Sequence, residues 1–375
     1  MNLPDRYIQD LVDCLTRSGF GFALYRLPWT DECYFIAQLS GEVEQMADIH
    51  NLNGKKGFVM APFQRSEKHP LVVIRPDITA CGWSEIREAL FLMDCKAAVQ
   101  TCCDVRDGTC PSEVKTVEKK QYTKAFEHFI TPLREKCFQK LVLSRSAMKH
   151  ISADFSPLGT FVHACNSYPR MMIYLCHTPK SGTWMGSTPE ILLSGYGKRW
   201  HTVALAGTMP VKDEVMPMEW NRKNREEQSY VADYVRQIVL KFGDEVTEEG
   251  PYTARAGQLV HLKTDFHFLL NDIHQLGDLL QELHPTPAVC GLPKEDAFRF
   301  ILKNEGYDRS YYSGFIGWLD PEGHTDLYVN LRCMEIISNA AVLYAGGGIL
   351  PLSEVESEWE ETGEKMKTMS NILSI

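Results

Sequence analysis

Short runs of strand character recur in pairs along this chain, with helix-patterned stretches between the groups, and that order constrains the fold most. Met172–Cys176, Thr183–Gly186, Ile191–Ser194 and Trp200–Leu205 are short β-type runs that follow one another as hairpins do. A strand at Lys140–Arg145 follows a helix over Tyr122–Cys137, where Phe126, Phe129, Ile130 and Leu133 recur at helical spacing. Near the end, Phe315–Leu319 and Asp326–Met334 flank Asp320-Pro321-Glu322-Gly323, a turn by composition. A last strand, Ala341–Ala345, runs into Gly346-Gly347-Gly348. Grouped strands with inserted helices predict an α+β fold with antiparallel sheets. The pattern is not βαβ, and no glycine-rich loop opens a helix at nucleotide spacing. The triple glycine reads as a close backbone approach to a ligand or a strand-end turn, not a phosphate cradle.

The bulk numbers bound the function. The chain has 375 residues, 44% hydrophobic and 23% charged, with net charge −10 from 39 basic and 49 acidic side chains. That is the composition of a globular protein with a sizeable core. It argues against nucleic acid, which wants a basic face, though not against a small anion held in a local basic pocket. Twelve cysteines are scattered without paired CxxC knuckles. They read as free thiols, including the cluster Cys95, Cys102, Cys103 and Cys110. Met1–Phe20 has an amphipathic pattern without an apolar signal core, and no run reaches membrane-spanning length. A cytoplasmic protein with no membrane partner is expected. The polar stretch Gln100–Gln121 is the best candidate for a loop between an N-terminal portion and the rest.

Two helices carry carboxylates in places that solvation does not explain. Trp220–Leu240 predicts a helix with an apolar stripe of Val231, Tyr234 and Ile238, and Glu227 extends that stripe toward the core. A carboxylate on a buried face needs a cation, a metal or a proton. The last helix, Ser353 to about Ile375, opens on a capping box of Ser353 with Glu356. One face carries Glu354, Glu358, Glu361 and Lys365, and the opposite face carries Val355, Trp359, Met366, Met369 and Leu373. If the two helices meet, Glu227, Glu358 and Glu361 form an oxygen-rich site suited to Mg²⁺.

Eight local sequences resemble one family in the family's own order. Lys140–Arg145 resembles its KVVLSR strand, Gly186–Glu190 its G-x-SPE turn and Leu205–Thr208 its LAGT segment. His284–Gly291 is similar to HPTPALSG, and Tyr307–Trp318 to a block ending in GW. Leu331–Cys333, Ala345–Ile349 and Glu358–Thr362 complete the series. The chain is thereby identified as a member of the chorismate-utilising enzymes. The resemblance covers Lys140–Lys365 and implies one large domain over residues 1–375. That domain is expected to be a sandwich-like arrangement of antiparallel sheets with helices packed outside. Residues 1–115 would be a variable part of the fold and 120–375 the motif-bearing part.

Within that family, isochorismate and salicylate synthases resemble each other in a lysine where Lys140 stands, the base for a water attacking C2 of chorismate. Aminating members lack it, and one branch carries a nucleophilic lysine where this chain has Ala206. The resemblance therefore implies isomerisation of chorismate to isochorismate, for menaquinone or a catechol siderophore. Lys140 would be the base, and Glu190 the acid that protonates the leaving C4 hydroxyl. Mg²⁺ on Glu227, Glu358 and Glu361 would clamp a carboxylate. Arg332 would pair the other as a bidentate fork, on the open face of the strand opposite Val329 and Leu331. Gly207, Thr208, His261, Gly347, Gly348 and Lys365 would complete the substrate site, and no amidotransferase partner is expected. Salicylate synthesis, with elimination of pyruvate, and a non-catalytic chorismate-binding homologue are the alternatives. Gln228 stands where the family often has His, and Asn224 where it often has Asp, which would weaken support of the metal. Tyr312 stands where Phe is common.

Overall fold

The computed structural model of the chain describes residues 1–100, 116–211 and 219–373, with side chains for all of these except 94–100. Among the described residues, eighteen strands form two antiparallel sheets of nine. The first runs, in spatial order, Gly291–Leu292, Lys140–His150, Ala340–Ile349, Cys333–Ile337, Gly182–Thr188, Met172–Thr178, Gly21–Arg26, Tyr34–Gln38 and Ile78–Cys81. The second runs Gly243–Ala256, Leu259–Leu270, Arg199–Pro210, Ile191–Tyr196, His324–Val329, Phe315–Leu319, Gly57–Ala61, Leu71–Ile74 and Glu44–Met46. The first hundred residues thus supply the last three strands of each sheet.

The sheets pack face to face. Their common core takes Tyr25 and Tyr174 from one and Phe58, Val72 and Tyr328 from the other. Alternation along each strand sends the intervening side chains outward to a second layer. Phe22 and Leu24 meet the helices Arg6–Leu15 and Pro157–Ser167 on the first sheet. Val59 and Ala61 share a core with the helices Arg222–Phe242 and Leu276–Leu283 on the second. The central strands of each sheet are therefore covered on both faces, and Met172–Thr178 is buried along its whole length. This is why the strands read as short apolar runs and not as clean alternation.

Three sequence expectations are corrected here. Asp326–Met334 is not one strand. His324–Val329 belongs to the second sheet and Cys333–Ile337 to the first. The chain crosses between them through Asn330, whose side chain accepts from Tyr174 Oη at 2.5 Å and donates to Tyr311 O at 2.9 Å. Arg332 sits on this crossover with φ +46°, not on an alternating strand face. The segment carries no Gly or Pro, and burial on both sides of the crossover keeps the apolar pattern unbroken. The last helix runs Val355–Ser370, shorter than expected. Its capping box does not form. Ser353 Oγ accepts instead from Leu350 N at 3.1 Å, and Glu356 pairs with Lys119 Nζ at 2.6 Å. The helix on Glu227 spans Arg222–Phe242, capped by Asn221, which accepts from Asn224 N at 2.8 Å. The turn at Asp320–Gly323 forms as expected, with Asp320 Oδ1 accepting from Gly323 N. Eight described cysteines are free thiols, and the cluster at Cys95–Cys110 lies outside the described side chains. Most of the proposed loop Gln100–Gln121 also lies outside them. No described helix is long and apolar enough to cross a membrane.

Candidate active site

A cavity opens where the two sheets exchange strands. Two neighbouring crossovers form one wall. Glu190 lies between Gly182–Thr188 of the first sheet and Ile191–Tyr196 of the second. Arg332 lies on the return crossing. Main-chain bonds tie the two together, from Val329 N to Glu190 O and from Ser187 N to Arg332 O, both at 2.9 Å.

Glu190 is 2% exposed, and burial pushes its carboxyl up to about 8, although Lys140, Lys365 and Arg332 draw it partly back. It is a carboxylic acid that keeps its proton at neutral pH. Arg332 is also buried, which lowers its guanidinium to about 10. It donates to Thr368 Oγ1 at 3.1 Å and to His261 Nε2 at 2.9 Å. His261 in turn donates from Nδ1 to Gly207 O at 2.9 Å. Burial and the charges of Arg332 and Lys365 hold this imidazole neutral, far below its usual range. Its tautomer is fixed by an acceptor on one side and a donor on the other. No carboxylate among the described residues pairs with Arg332, so the rest of its fork faces the cavity.

Gly207 and Thr208 stand where the pairing of Arg199–Pro210 with Leu259–Leu270 slips between Ala206 and Met209. Gly207 has φ +72°, and a Cβ there would stand 3.1 Å from Asn224 Cβ and O. Only glycine lets the helix on Glu227 approach the sheet this closely. Asn224 and Gln228 face that sheet. Gln228 Nε2 donates to Ala204 O and Thr264 Oγ1, at 3.0 and 3.1 Å. Gln228 Nε2 and Asn224 Nδ2, which donates to Thr208 O, help dock the helix, while Gln228 Oε1 is buried without a partner.

The far wall is the strand Ala340–Ile349. Its pairing with Cys333–Ile337 stops at Leu343, so beyond that point one edge is free of any described strand. Lys365 Nζ reaches Gly346 O on it at 2.9 Å. A methyl group on Gly347 would stand 3.0 Å from Glu358 Oε2 and 3.5 Å from Glu361 Oε1. One on Gly348 would overlap Glu227 Oε1 and come within 2.9 Å of Lys140 Cε. The missing side chains make room for the three carboxylates, which the sequence reading had placed on one site.

Each carboxylate is held by a lysine. Lys140, fully buried, lies 3.0 Å from Glu227 Oε1. Lys365 lies 2.8 Å from Glu361 Oε1, and Lys223 pairs with Glu358 Oε1. Accordingly, no group of three His, Cys, Asp or Glu among the described residues stands in ligating geometry. The donor set still fits a hard divalent cation. It is all oxygen, and Glu358 Oε2 is buried with no hydrogen-bond partner. Burial and the charge of Glu361 raise the Glu358 carboxyl, a cost that a cation would remove.

The cavity is lined by Glu190, Gly207, Thr208, Glu227, His261, Arg332, Gly348 and Lys365. Lys140, Gly347, Glu358 and Glu361 stand just behind that lining. Sequence reasoning missed Lys223 and Tyr344, while Gly346 falls in the triple glycine read as a close approach to a ligand. Lys223 lies four residues before Glu227, the one signal that placed it on the same helix face.

The chain is similar to known proteins over most of its length. A family model described as chorismate binding enzyme matches residues 88–374. The isochorismate synthase EntC of Escherichia coli K12 is 34% identical over 212 residues, 54% of this chain and 54% of that protein. The vibriobactin-specific isochorismate synthase of Vibrio cholerae is 30% identical over 261 residues, 66% of this chain and 65% of that one. The matched part of the chain thus spans between about half and two thirds of these relatives. In the solved structure of MenF, the menaquinone-specific isochorismate synthase from Escherichia coli, the fold recurs with a TM-score of 0.76 at 20% identity, covering 100% of this chain and 92% of that one. With the family model spanning most of its length, the chain belongs to the chorismate-binding enzyme family.

Proposed function

We propose that the chain is an isochorismate synthase. The observation that carries this reading is the buried Glu190 carboxyl on the cavity wall, which keeps its proton, with Lys140 behind the wall at Gly348 and paired with Glu227. Ala206 offers no nucleophile on that wall. Water bonds to C2 of chorismate and gives a proton to Lys140. Both ring double bonds shift by one carbon, from C1=C2 to C1=C6 and from C5=C6 to C4=C5, and the C4 oxygen leaves as water with the proton of Glu190. One water enters and one departs, so the reaction is an isomerisation. Arg332, anchored by His261 and Thr368, holds one substrate carboxylate with its free N–H groups. Lys365 and the open edge at Gly346–Gly348 border the same space. Glu227, Glu358 and Glu361 would hold Mg²⁺, which when bound supplies positive charge to the second carboxylate. The reaction needs no ammonia, hence no amidotransferase. Its product would feed menaquinone or a catechol siderophore, in the cytoplasm.

The test is incubation of the purified chain with chorismate, with and without Mg²⁺, and separation of products by chromatography. Isochorismate, formed only with Mg²⁺, is the expected result. Salicylate with pyruvate would reassign the chain to salicylate synthesis. Unchanged chorismate would overturn catalysis altogether.

A further inference from the structure

Besides Lys140 Nζ, which is ion-paired with Glu227, two buried polar atoms near the carboxylate cluster lack hydrogen-bond partners, and they are chemically complementary. Tyr122, in the first turn of the helix Lys119–Arg134, is 1% exposed, and its hydroxyl makes no hydrogen bond. Its ring stands edge-on to Trp359, with centroids 5.3 Å apart. Trp359 follows Glu358, also 1% exposed, whose Oε2 has no hydrogen-bond partner while Lys223 pairs with Oε1 and Ser353 lies beside the carboxyl. After burial, the strongest influences on the Tyr122 hydroxyl are the charges of Glu358 and then Glu361. Tyr122 thus packs beside the helical turn that carries Glu358, a donor without an acceptor near an acceptor without a donor. A water between them would satisfy both, and Mg²⁺ characteristically keeps several of its waters.

Resting on the reading of Glu227, Glu358 and Glu361 as cation ligands, we infer that Tyr122 is a positioning residue for the divalent cation, its hydroxyl joined to Glu358 through a water the cation holds. The hydroxyl would orient the Glu358 carboxylate and fix one side of the cation's hydration. Such outer partners typically contribute 10–100-fold in affinity.

The experiment is titration of the whole chain with Mn²⁺, read by electron paramagnetic resonance of the free ion and without substrate. Tyr122→Phe removes only the hydroxyl. It should bind Mn²⁺ about 10-fold more weakly, with an unchanged melting temperature in metal-free buffer. Glu358→Gln should lose affinity too, and the double variant should be no weaker than Glu358→Gln alone. Unaltered affinity in Tyr122→Phe, or additive losses in the double variant, would overturn the inference. So would failure of the unsubstituted chain to bind Mn²⁺. Product analysis with chorismate is scored separately. A chain that binds Mn²⁺ but makes no isochorismate sinks the proposed function and leaves the Tyr122 comparison readable.

Discussion

Glu190 and Lys140 carry opposite halves of the proposed proton traffic, and each makes a separable prediction. The Glu190 carboxyl is raised from 4.5 to about 8, so its acid form is present below that pH and lost as pH rises through it. Turnover should fall above about pH 8 with a single-proton slope. Glu190→Gln should lower turnover about 10²–10⁴-fold and abolish that limb. A wild-type rate still flat at pH 9.5 would remove Glu190 from the acid role. Lys140→Ala should lose a similar factor in turnover, while chorismate affinity, measured by calorimetry, changes little. Near-normal turnover would end the base assignment. Both residues were legible in the sequence only through their ordered motifs. Taken singly, a strand lysine and a glutamate after a proline are usually solvated. Tyr122 and Lys223 were not legible as site residues, because one sits in a helix's apolar stripe and the other in a run of surface charges.

Among the elements, the helix Val355–Ser370 matters most, since it presents Glu358, Glu361 and Lys365. Its seat on the first sheet is set by Arg145, five residues along the strand from Lys140. Arg145 Nε donates to Thr362 Oγ1 at 2.7 Å, and its guanidinium lies 3.7 Å over the Trp359 ring. Burial lowers the Arg145 pKa, so part of this gain is spent on desolvation. Arg145→Ala should destabilise the chain by about 2 kcal/mol net. Denaturant titration would show this as a lower midpoint, and an unmoved midpoint would dismiss the clamp. Sequence periodicity found this helix and the one bearing Glu227, each within a few residues. It failed at the Asn330–Arg332 crossover, where tertiary burial and not a turn residue redirects the chain. It also passed over the hairpin Gly243–Leu270, whose first strand is mostly exposed and polar.

At the scale of the molecule, the N-terminal third is structural in both sheets although it carries no family motif. Gly21–Arg26 pairs with Met172–Thr178, and Gly57–Ala61 with Phe315–Leu319. A chain begun at Val117 would lose six of the eighteen strands and bare those two edges. It should aggregate on expression, and a soluble product with cooperative near-ultraviolet circular dichroism would refute this. The absence of motifs in that third reflects its distance from the chemistry, since its side chains answer to packing alone. The paired crossovers at Glu190 and Arg332 act in this frame as a gear. Each is pinned at its two ends in different sheets, so any slide of one sheet on the other is transmitted directly to the spacing of acid and guanidinium. Under the proposed function, turnover should therefore register small changes of sheet alignment that folding stability barely feels.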